Sequence, residues 1–342
     1  MEIIERGGVQ DKEWDEYVFN HPKSNLYHLS GWRRVAAESY GVKDLSLVAK
    51  KDSRIVGLLP LLEVKGIFSG SYLTSGIFGS YGGILTDSQD ISAILMKKAK
   101  EAFNRDNHRF LVIKDCLSQD YPDFIVKQEY VTFVLSLEEG IDSAWANLKD
   151  KTRNQIRKSE RSGLTITMSD RFGLEVFAGV YARNMRDMGT PFLGVVFLSK
   201  LMEYFRGKVD IFLVKSGKRV ISGGMTFRFK DAAYMPFASS LKAYNALCPN
   251  NLLYWEAIKY ACASGCRNFD FGRSTVDSGT FHFKKHWGAA VKQLYYNYMA
   301  RYLPLQTFNP NDRKYRFYIN LWRLLPLSVA NNFGPRVIRY LL

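Results

Sequence analysis

The chain has 342 residues, a length that predicts two domains of about 150 residues each. Its 46% apolar and 24% charged content is typical of a globular protein and excludes an intrinsically disordered one. The net charge of +15 favours an anionic partner, either nucleic acid, a phosphorylated or nucleotide-linked metabolite, or an anionic membrane surface. Charge alone does not rank these partners, and it also serves solubility.

No segment of the sequence is typical of secretion or of membrane insertion. Residues 1–17 carry acidic side chains where a signal peptide needs a basic start and an apolar run. The longest apolar runs, such as Ile55 to Leu62, fall short of the roughly 20 residues that a membrane span requires. Four cysteines are too few for a disulfide framework in a chain of this size. We therefore expect a soluble protein of the cytoplasm.

Helical and strand patterns alternate in residues 1–140, which is typical of an α/β fold built from packed layers. Asp52 and Ser53 separate two strand patterns and predict a β-hairpin. We predict a first domain over residues 1–140. Its predicted helices cover residues 12–19, 30–39 and 91–103, and its predicted strands cover residues 45–51, 54–64, 81–85, 109–114 and 130–137.

A second domain is predicted over residues 141–304, because the same alternation starts again there. It starts with residues 142–162. Its predicted helices then cover residues 174–187, 198–205 and 251–263, and its predicted strands cover residues 164–168, 210–215, 219–228, 231–238 and 268–271. The remaining residues, 305–342, form a basic, aromatic helical extension that Pro326 and Gly334-Pro335 break into pieces. We expect it to cap the core, or alternatively to contact the inner face of a membrane.

Two of the predicted hairpins resemble each other at an offset of 165 residues. Residues 48–56 read VAKKDSRIV, and residues 213–221 read LVKSGKRVI. The common chemistry of β-hairpins would also produce such a short similarity. The repeat nevertheless favours two related domains in tandem.

Several catalytic motifs are incomplete or absent. Residues 270–272 read DFG, as in protein kinases, but no HRD loop accompanies them. The phosphate-binding loop GxxxxGK[ST], the dinucleotide fingerprint GxGxxG and the nucleophile elbow GxSxG are also missing. His282 and His286 have the spacing of metal ligands, but Phe283 stands where the HExxH motif has glutamate. We predict neither a metal nor a bound cofactor.

Residues 151–158 are rich in Lys and Arg at the predicted start of a helix, with Thr152 as its N-cap. Backbone amides at such a helix end attract anions, and Arg153 and Arg157 would project from one face. Phosphate binding is therefore one interpretation. The other is a solvated basic helix whose charges pair with Glu160.

The stretch from Phe269 to Gly288 is the strongest candidate for the active site. An apolar strand is followed by Gly272, a polar loop and a short aromatic and basic helix that Ser278 or Thr280 would cap. Charges and hydroxyls directly after a strand lie at the carboxyl end of an α/β sheet, where ligands bind. The alternative is an ordinary loop with aromatic anchors.

Three segments of the second domain, KTRNQIRKSERSGL (151–164), PNNLLYWEAIKYACASGCRNFDFGRS (249–274) and GTFHFKKHWG (279–288), resemble the FemAB-type aminoacyltransferases and their relatives from envelope and exopolysaccharide loci. Residues 21–41, 58–64 and 80–85 are similar to the same group, so the resemblance covers nearly the whole chain. It implies two tandem N-acyltransferase (GNAT-like) domains. It also implies transfer of an aminoacyl group from aminoacyl-tRNA to an amine of a peptidoglycan-like precursor, which is consistent with the basic charge.

The resemblance assigns roles to two neighbouring residues, Phe283 and Lys284. The aromatic ring would contact the tRNA acceptor end, and the ammonium would assist transfer. Attack of an amine on an ester builds an oxyanion, which a fixed cation in a water-poor cleft stabilises strongly. An aromatic face can stack a terminal base. The amine must also lose a proton, for which Asp277 and Asp270 are candidate bases; Asp270 could instead anchor the loop.

Two departures from the family leave the substrates open. FemAB-type enzymes that bind nucleotide-linked precursors have a lysine after the first tryptophan-containing helix, where this chain has Arg33 and Arg34. The long helical hairpin that many of them use for tRNA is also missing, so an acyl-CoA or acyl-carrier donor remains an alternative, although its [QR]xxGx[GA] motif is absent. A non-catalytic protein that binds envelope precursors or membranes is the alternative of another class. The candidate substrate-binding residues are Phe283, Arg273, Ser274, Arg153, Arg157, Arg33, Arg34, Tyr81 and Trp287.

Overall fold

The computed structural model describes residues 2–5, 9–66, 70–119, 121–303 and 313–338. These residues form two compact units. The first unit contains the described residues of 1–130 together with residues 293–303. The second unit contains residues 131–292 together with residues 313–338.

The secondary structure of the described residues is as follows. The helices are α1 (Asp11–Asn20), α2 (Ser30–Tyr40), α3 (Gln89–Arg105), α4 (Gly140–Ala146), α5 (Asp150–Arg161), α6 (Leu174–Met188), α7 (Val195–Tyr204), α8 (Pro249–Ala263), α9 (Gly279–Lys285), α10 (Arg313–Leu324) and α11 (Leu327–Ile338). The strands are β1 (Glu2–Glu5), β2 (Lys43–Asp44), β3 (Leu47–Lys51), β4 (Arg54–Leu59), β5 (Leu62–Gly66), β6 (Gly70–Thr74), β7 (Phe110–Asp115), β8 (Ile125–Lys127), β9 (Tyr130–Ser136), β10 (Leu164–Ser169), β11 (Val209–Ser216), β12 (Arg219–Phe229), β13 (Ala232–Ser240), β14 (Asn268–Asp270), β15 (Ser274–Thr275), β16 (Ala290–Gln293) and β17 (Tyr295–Ala300).

The first unit has two sheets, with strand orders β1-β3-β4 and β2-β5-β6-β7-β17-β8. The predicted continuous strand over residues 54–64 is wrong, because it is divided into β4 and β5 at Pro60. Proline has no N–H to donate to a neighbouring strand and is poorly tolerated inside a sheet. The strands on either side of Pro60 therefore join different sheets.

The second unit contains one sheet with the order β10-β11-β12-β13-β14-β9-β15, and β16 also pairs with β9. Helices cover both faces because successive side chains of a strand point to opposite faces. Phe212 and Val214 of β11 belong to the core that α8 completes. Leu213 faces the other way, toward α6, where it lies close to Gly223 together with Phe177. The site described below lies where two strands of this sheet diverge.

The diverging strands are β13 and β14, which are parallel. They pair only from Ala232 to Tyr234 with Asn268 to Asp270, and β13 then continues to Ser240 after β14 has ended. The first unit also has neighbouring parallel strands, β6 and β7, which pair at Leu73 and Leu111. There the later strand, β7, continues to Asp115 after β6 has ended at Thr74. Both β7 and β14 end on an aspartate.

The repeat predicted at an offset of 165 residues is confirmed in three dimensions. Its members are the hairpins β3-β4 and β11-β12. The first has a register shift between Ala49 and Lys50, and the second has one between Val214 and Lys215, at the same aligned position. A bulge is a specific irregularity of strand pairing, so its recurrence is stronger support for related domains than the hairpin alone.

The predicted domains, residues 1–140 and 141–304, would place β9 in the first domain and β17 in the second. In the structure each of these strands belongs to the other unit. β9 pairs with β14 and so belongs to the sheet of the second unit. β17 pairs with β7 and β8 and so belongs to the first unit. The predicted boundary between residues 304 and 305 lies outside the described residues.

Two further predictions about elements are wrong. Residues 81–85 form no strand, and only Leu85 makes a bridge there, with Leu58. Residues 142–162, with which the second domain was predicted to start, contain most of two helices, α4 and α5. In the C-terminal segment, α11 runs through Gly334 and Pro335 to Ile338, whereas the predicted break at Pro326 is confirmed. These C-terminal helices pack against α6, and Arg186 of α6 donates a hydrogen bond of 3.0 Å to the carbonyl of Leu325.

Candidate active site

Lys284 lies at the opening between β13 and β14, on the short helix α9. The predicted cap of this helix by Ser278 is confirmed, since its hydroxyl accepts a hydrogen bond from the amide of Phe281 at 3.2 Å. Lys284 is only 5% exposed. Its Nζ donates to the carbonyl oxygens of Gly272, at 2.7 Å, and Arg273, at 3.2 Å. An ammonium has three donors, so one N–H can be offered to a substrate oxygen.

Burial changes the protonation of this lysine. Removal from water lowers the pKa of Lys284 to about 7, the nearby carboxylate of Asp270 opposes this shift, and the charge of Arg273 adds to it. The ammonium and the free amine are therefore both available near neutral pH. A lysine with such a pKa inside a cleft is a typical feature of a functional site.

Asp270 supports the turn that carries the two carbonyl groups. It is 3% exposed, and its Oδ1 accepts hydrogen bonds from the hydroxyl of Thr132, at 2.6 Å, and the amide of Gly272, at 2.7 Å. The structure thus brings Asp270 to Lys284 in an anchoring position. Asp277, by contrast, is exposed on the turn before α9, with a φ of 59°.

Phe283 packs inside a cluster of aromatic rings and is half-buried. Its ring centre lies 5.4 Å from that of Tyr254 and 5.9 Å from that of Trp287. Trp287 is fully buried and lies 5.6 Å from Phe271. The cluster therefore fixes the position of α9, and through it the position of Lys284.

Two predicted binding residues beside Lys284 differ in exposure. Arg273 is exposed. Ser274 is 3% exposed, and in the described part of the chain its hydroxyl has no hydrogen-bond partner. Buried hydroxyls in native proteins are nearly always hydrogen-bonded, and an unpaired one next to a buried ammonium is suited to a ligand.

The basic helix α5 differs from the sequence prediction at its first turn. Thr152 is not the N-cap, since α5 begins at Asp150 and the hydroxyl of Thr152 donates to the carbonyl of His286 at 3.0 Å. Arg153 donates to the carbonyl of Ala146 at 2.8 Å and pairs with Asp150. Arg157 is exposed, and its guanidinium lies 5.5 Å from the ring of Trp145. Of these two arginines, Arg157 is the more accessible.

The predicted binding residues of the first unit are held in place by neighbours. Arg33 is 1% exposed, donates to Asp44 at 2.5 Å and stacks 3.8 Å from the ring of Trp14. Arg34 is 42% exposed and pairs with Asp11 at 2.9 Å. Tyr81 is buried, 8% exposed, against the ring of Tyr27.

Sequence reasoning missed Asp115, the last residue of β7. Burial raises its pKa to about 7, and its Oδ2 lies 3.4 Å from the hydroxyl of Tyr121 and from Nδ2 of Asn297. Gly83 makes room for it, since a Cβ there would lie 1.6 Å from Oδ1. A carboxylate at the end of a strand was the available signal, but only the fold shows that it is buried.

Two kinds of feature are absent from the described residues. They contain no group of three or more His, Cys, Asp or Glu residues that could hold a metal ion. They also contain no helix that combines the length and the apolar character needed to cross a membrane.

Comparison with known proteins identifies the fold. Residues 146–285 match the family model of the acetyltransferase (GNAT) domain. The solved structure of FemX superimposes with a TM-score of 0.69 at 17% identity, covering 86% of this chain and 97% of that chain. A tandem GNAT protein from the clavulanic acid biosynthesis pathway superimposes with a TM-score of 0.55 at 9% identity, covering 87% and 97%.

The sequence itself also aligns with a characterised relative. The lipid II:glycine glycyltransferase of Staphylococcus epidermidis is 18% identical over 396 residues, which cover 85% of this chain and 91% of that protein. This alignment and the fold confirm the resemblance stated from the sequence motifs. The chain is thus similar in sequence to a FemAB-type transferase and has a tandem GNAT-like fold.

Proposed function

We propose that this protein transfers an aminoacyl group to an amine of a cell-envelope precursor, and that Lys284 stabilises the oxyanion formed during transfer. The observation that carries the proposal is the buried ammonium at the opening between β13 and β14, held by two backbone carbonyls. Its homology to a glycyltransferase supports the same class of reaction. The alternative of a non-catalytic binding protein gives no reason to bury a lysine there.

Negative charge develops on the ester carbonyl oxygen during the reaction. A hydrogen-bond donor is needed to stabilise it. The acceptor nitrogen forms a bond to the carbonyl carbon and gives a proton to a carboxylate. The bond to the tRNA ribose oxygen then breaks, and that oxygen takes the proton to leave as a hydroxyl. The ammonium of Lys284 offers its remaining N–H to the oxyanion. Little water competes with Lys284, because it is 5% exposed. The loss of one oxyanion donor typically lowers kcat by about 10²–10³-fold.

The proton of the attacking amine is assigned to one of two carboxylates. Asp270 already accepts two hydrogen bonds at Oδ1 and lies next to the ammonium, so we propose that it mainly keeps Lys284 charged and placed. Asp277 is exposed and can meet an incoming amine. It is therefore the stronger candidate for the base, and Asp277→Asn tests this role separately from Lys284.

Aminoacyl-tRNA is proposed as the donor rather than acyl-CoA. Acetyl-CoA enzymes of this fold usually have the motif [QR]xxGx[GA] at a junction between a strand and a helix. At the junction between β13 and α8, this chain instead has a short 3-10 helix at Lys242–Leu247 and then Pro249 at the first position of α8. Proline has no N–H to offer a phosphate. Phe283 for the terminal base and the exposed Arg157 for the RNA backbone complete the proposed donor site.

A lipid-linked precursor is proposed as the acceptor. The glycyltransferase relative acts on lipid II, as its name states. A lipid-linked substrate requires contact with a membrane, and α10 presents exposed apolar side chains for it: Phe317, Tyr318, Leu321 and Leu324. We propose a peripheral position at the inner face of the membrane.

The experiment compares Lys284→Met with Lys285→Met. Purified protein is incubated with radiolabelled aminoacyl-tRNA and a lipid-linked peptidoglycan precursor, and the labelled amide product is measured by chromatography. Lys285 is exposed and adjacent, so its variant is the matched control. We expect Lys284→Met to lose about 10²–10³-fold in kcat while Lys285→Met stays close to wild type.

Equal rates of the two variants would refute the role of Lys284. A product formed from acyl-CoA but not from aminoacyl-tRNA would refute the proposed donor. Circular dichroism of both variants shows whether each is folded.

A further inference from the structure

An open groove lies on the side of the second unit's sheet that α6 covers. Lys284 is not among the residues that line it. Its volume is about 720 Å³. Its walls come from β10, α6, the ends of β11 and β12, and the first residue of α11. None of the residues that line it takes part in the proposed transfer.

The groove is strongly basic. Arg183, Lys215, Lys218 and Arg219 line it, and its lining includes no Asp or Glu. Within the described residues, none of these four cations has a carboxylate within ion-pairing distance. Four uncompensated cations on one concave surface attract an anionic ligand with several charges.

Apolar side chains stand beside these cations and are unusually exposed. Phe172 is 90% exposed, Met168 is 47% exposed and Val176 is 44% exposed. The turn that carries Phe172 is fixed, because the carboxylate of Asp170 accepts a hydrogen bond from its amide at 3.1 Å. A large aromatic side chain held out in water is typical of a surface that becomes covered by a partner.

Gly179 keeps the groove open. It lies inside α6, where glycine costs about 1 kcal/mol of helix stability relative to alanine. Packing does not require it, since a Cβ at this position would have no described atom within 4 Å. A side chain at this position would project into the groove. The absence of a side chain therefore keeps this part of the groove open, although it lowers the stability of the helix.

The groove continues into the exposed apolar surface of the C-terminal helices. Leu327, the first residue of α11, is part of its lining. The neighbouring Leu324 is 81% exposed, and Phe317 is 67% exposed. Cations and exposed apolar side chains thus occur together in the groove, a combination typical of proteins that lie on anionic membranes.

We propose that this groove, together with Phe172 and α10, docks the second unit on an anionic phospholipid bilayer. The four cations bind lipid phosphates, and Phe172, Met168 and Leu327 contact the acyl chains. Single-stranded RNA would also match the cations, but Phe172 is the one aromatic side chain among the lining residues, and the other apolar ones offer bases no ring to stack on. The proposal extends the membrane contact proposed above, and it is tested without donor or acceptor, so its failure leaves the transfer reaction untouched.

The test is co-sedimentation of the full chain with two kinds of vesicle, phosphatidylcholine alone and an equimolar mixture with phosphatidylglycerol. We expect binding to the mixed vesicles only. The double variant Lys215→Gln, Lys218→Gln should bind them about 25-fold more weakly, since each cation near an anionic surface contributes about fivefold. Phe172→Ser should bind about tenfold more weakly, because it loses the burial of an aromatic ring.

The matched control is Lys151→Gln, Lys158→Gln, which removes two exposed cations from α5 on the α8 side of the sheet. Its binding should change by no more than about twofold, because only screened long-range attraction is lost. Phe172 is so exposed that we expect its variant to fold normally, and thermal melting tests this expectation. The proposal is overturned if wild type binds both vesicles equally, if the control weakens as much as the groove variant, or if the groove variants lose RNA binding but keep vesicle binding.

Discussion

Lys284 combines two properties that burial brings together. Removal from water strengthens the attraction between its ammonium and a developing oxyanion, and it also lowers the pKa to about 7. The carbonyls of Gly272 and Arg273 hold Nζ in place, so little rearrangement would be needed during the proposed reaction. Burial of Lys284 therefore lowers the free energy of unfolding and, at the same time, fixes the position of a positive charge.

The loss of stability should depend on pH. An unfolded lysine titrates near 10.5 and the folded Lys284 near 7, so between these values the unfolded state binds more protons. The free energy of unfolding then rises with pH in this window, by at most about 1.4 kcal/mol per pH unit. Lys284→Met removes this contribution. Urea denaturation at about pH 7 and pH 9 should show wild type gaining stability relative to Lys284→Met, and a constant difference would contradict the buried charge.

Asp115 provides a comparison of opposite sign. Burial raises its pKa from 3.8 to about 7, so between these values the folded state binds more protons. Its contribution to the free energy of unfolding is present at low pH and is lost as the pH rises toward 7. Relative to Asp115→Asn, wild type should therefore lose stability in the window where Lys284 has no effect. The two titrations can be assigned separately for this reason.

At the scale of single residues, the sequence indicates chemistry better than environment. Phe283 and Lys284 were predicted from a motif, and the cap at Ser278 from a local pattern, and the structure confirms the cap. The burial of Arg33 depends on Asp44 and Trp14, which lie on other elements. No local pattern shows which elements meet.

At the scale of elements, the turn after β14 determines the site. Gly272 has a φ of +74°, and a Cβ there would lie 3.2 Å from Cα of Pro236 in β13. Only glycine adopts this conformation without strain, and no flexible side chain can move aside. Its carbonyl oxygen is also the nearest acceptor of Lys284. The position of the Lys284 ammonium thus depends on one backbone conformation.

Gly272→Ala should therefore reduce activity more than stability. We expect a loss of about 1–2 kcal/mol in the free energy of unfolding from the left-handed conformation. We also expect a fall of about tenfold or more in kcat, because small misplacements of a catalytic group are costly. Gly265→Ala is the matched control, since Gly265 has a φ of +81° and no atom within 4 Å of its Cβ position. Equal kcat for the two variants at equal stability would show that the turn does not place Lys284.

Elements that form locally were predicted well, and elements that depend on distant pairing were not. The hairpin β3-β4 was predicted from its turn residues. The split of residues 54–64 at Pro60 had a visible signal, because proline inside a strand pattern marks an edge or an interruption. Residues 81–85 satisfied the strand pattern, but apart from one bridge they find no neighbouring strand. A strand pattern states which face is apolar and does not name the partner.

At the scale of the whole molecule, the tandem organisation was predicted from one short repeat and a family resemblance, and the fold confirms it. The boundary between the units differs from the predicted one. β9 joins the sheet of the second unit, and β17 joins a sheet of the first unit. Sequence neighbourhood favoured β9 as part of the first domain. Its actual partner, β14, lies more than a hundred residues away and is selected by packing.

This exchange of strands predicts which fragments of the chain can fold. A fragment of residues 141–338 lacks β9, and with it the buried side chains of Phe133 and Leu135 and the hydrogen bond from Thr132 to Asp270. Removal of one large core side chain costs about 2–5 kcal/mol, and a domain has only about 5–15 kcal/mol in total. A fragment of residues 128–338 keeps β9 and differs by only thirteen residues. Unfolding in urea is measured by tryptophan fluorescence. We expect a single cooperative transition for the longer fragment and no cooperative transition for the shorter one. If both fragments unfold with equal cooperativity, β9 is dispensable for folding of the second unit. The folding units would then be divided at residue 140, as the sequence predicts, and not as the strand pairing indicates.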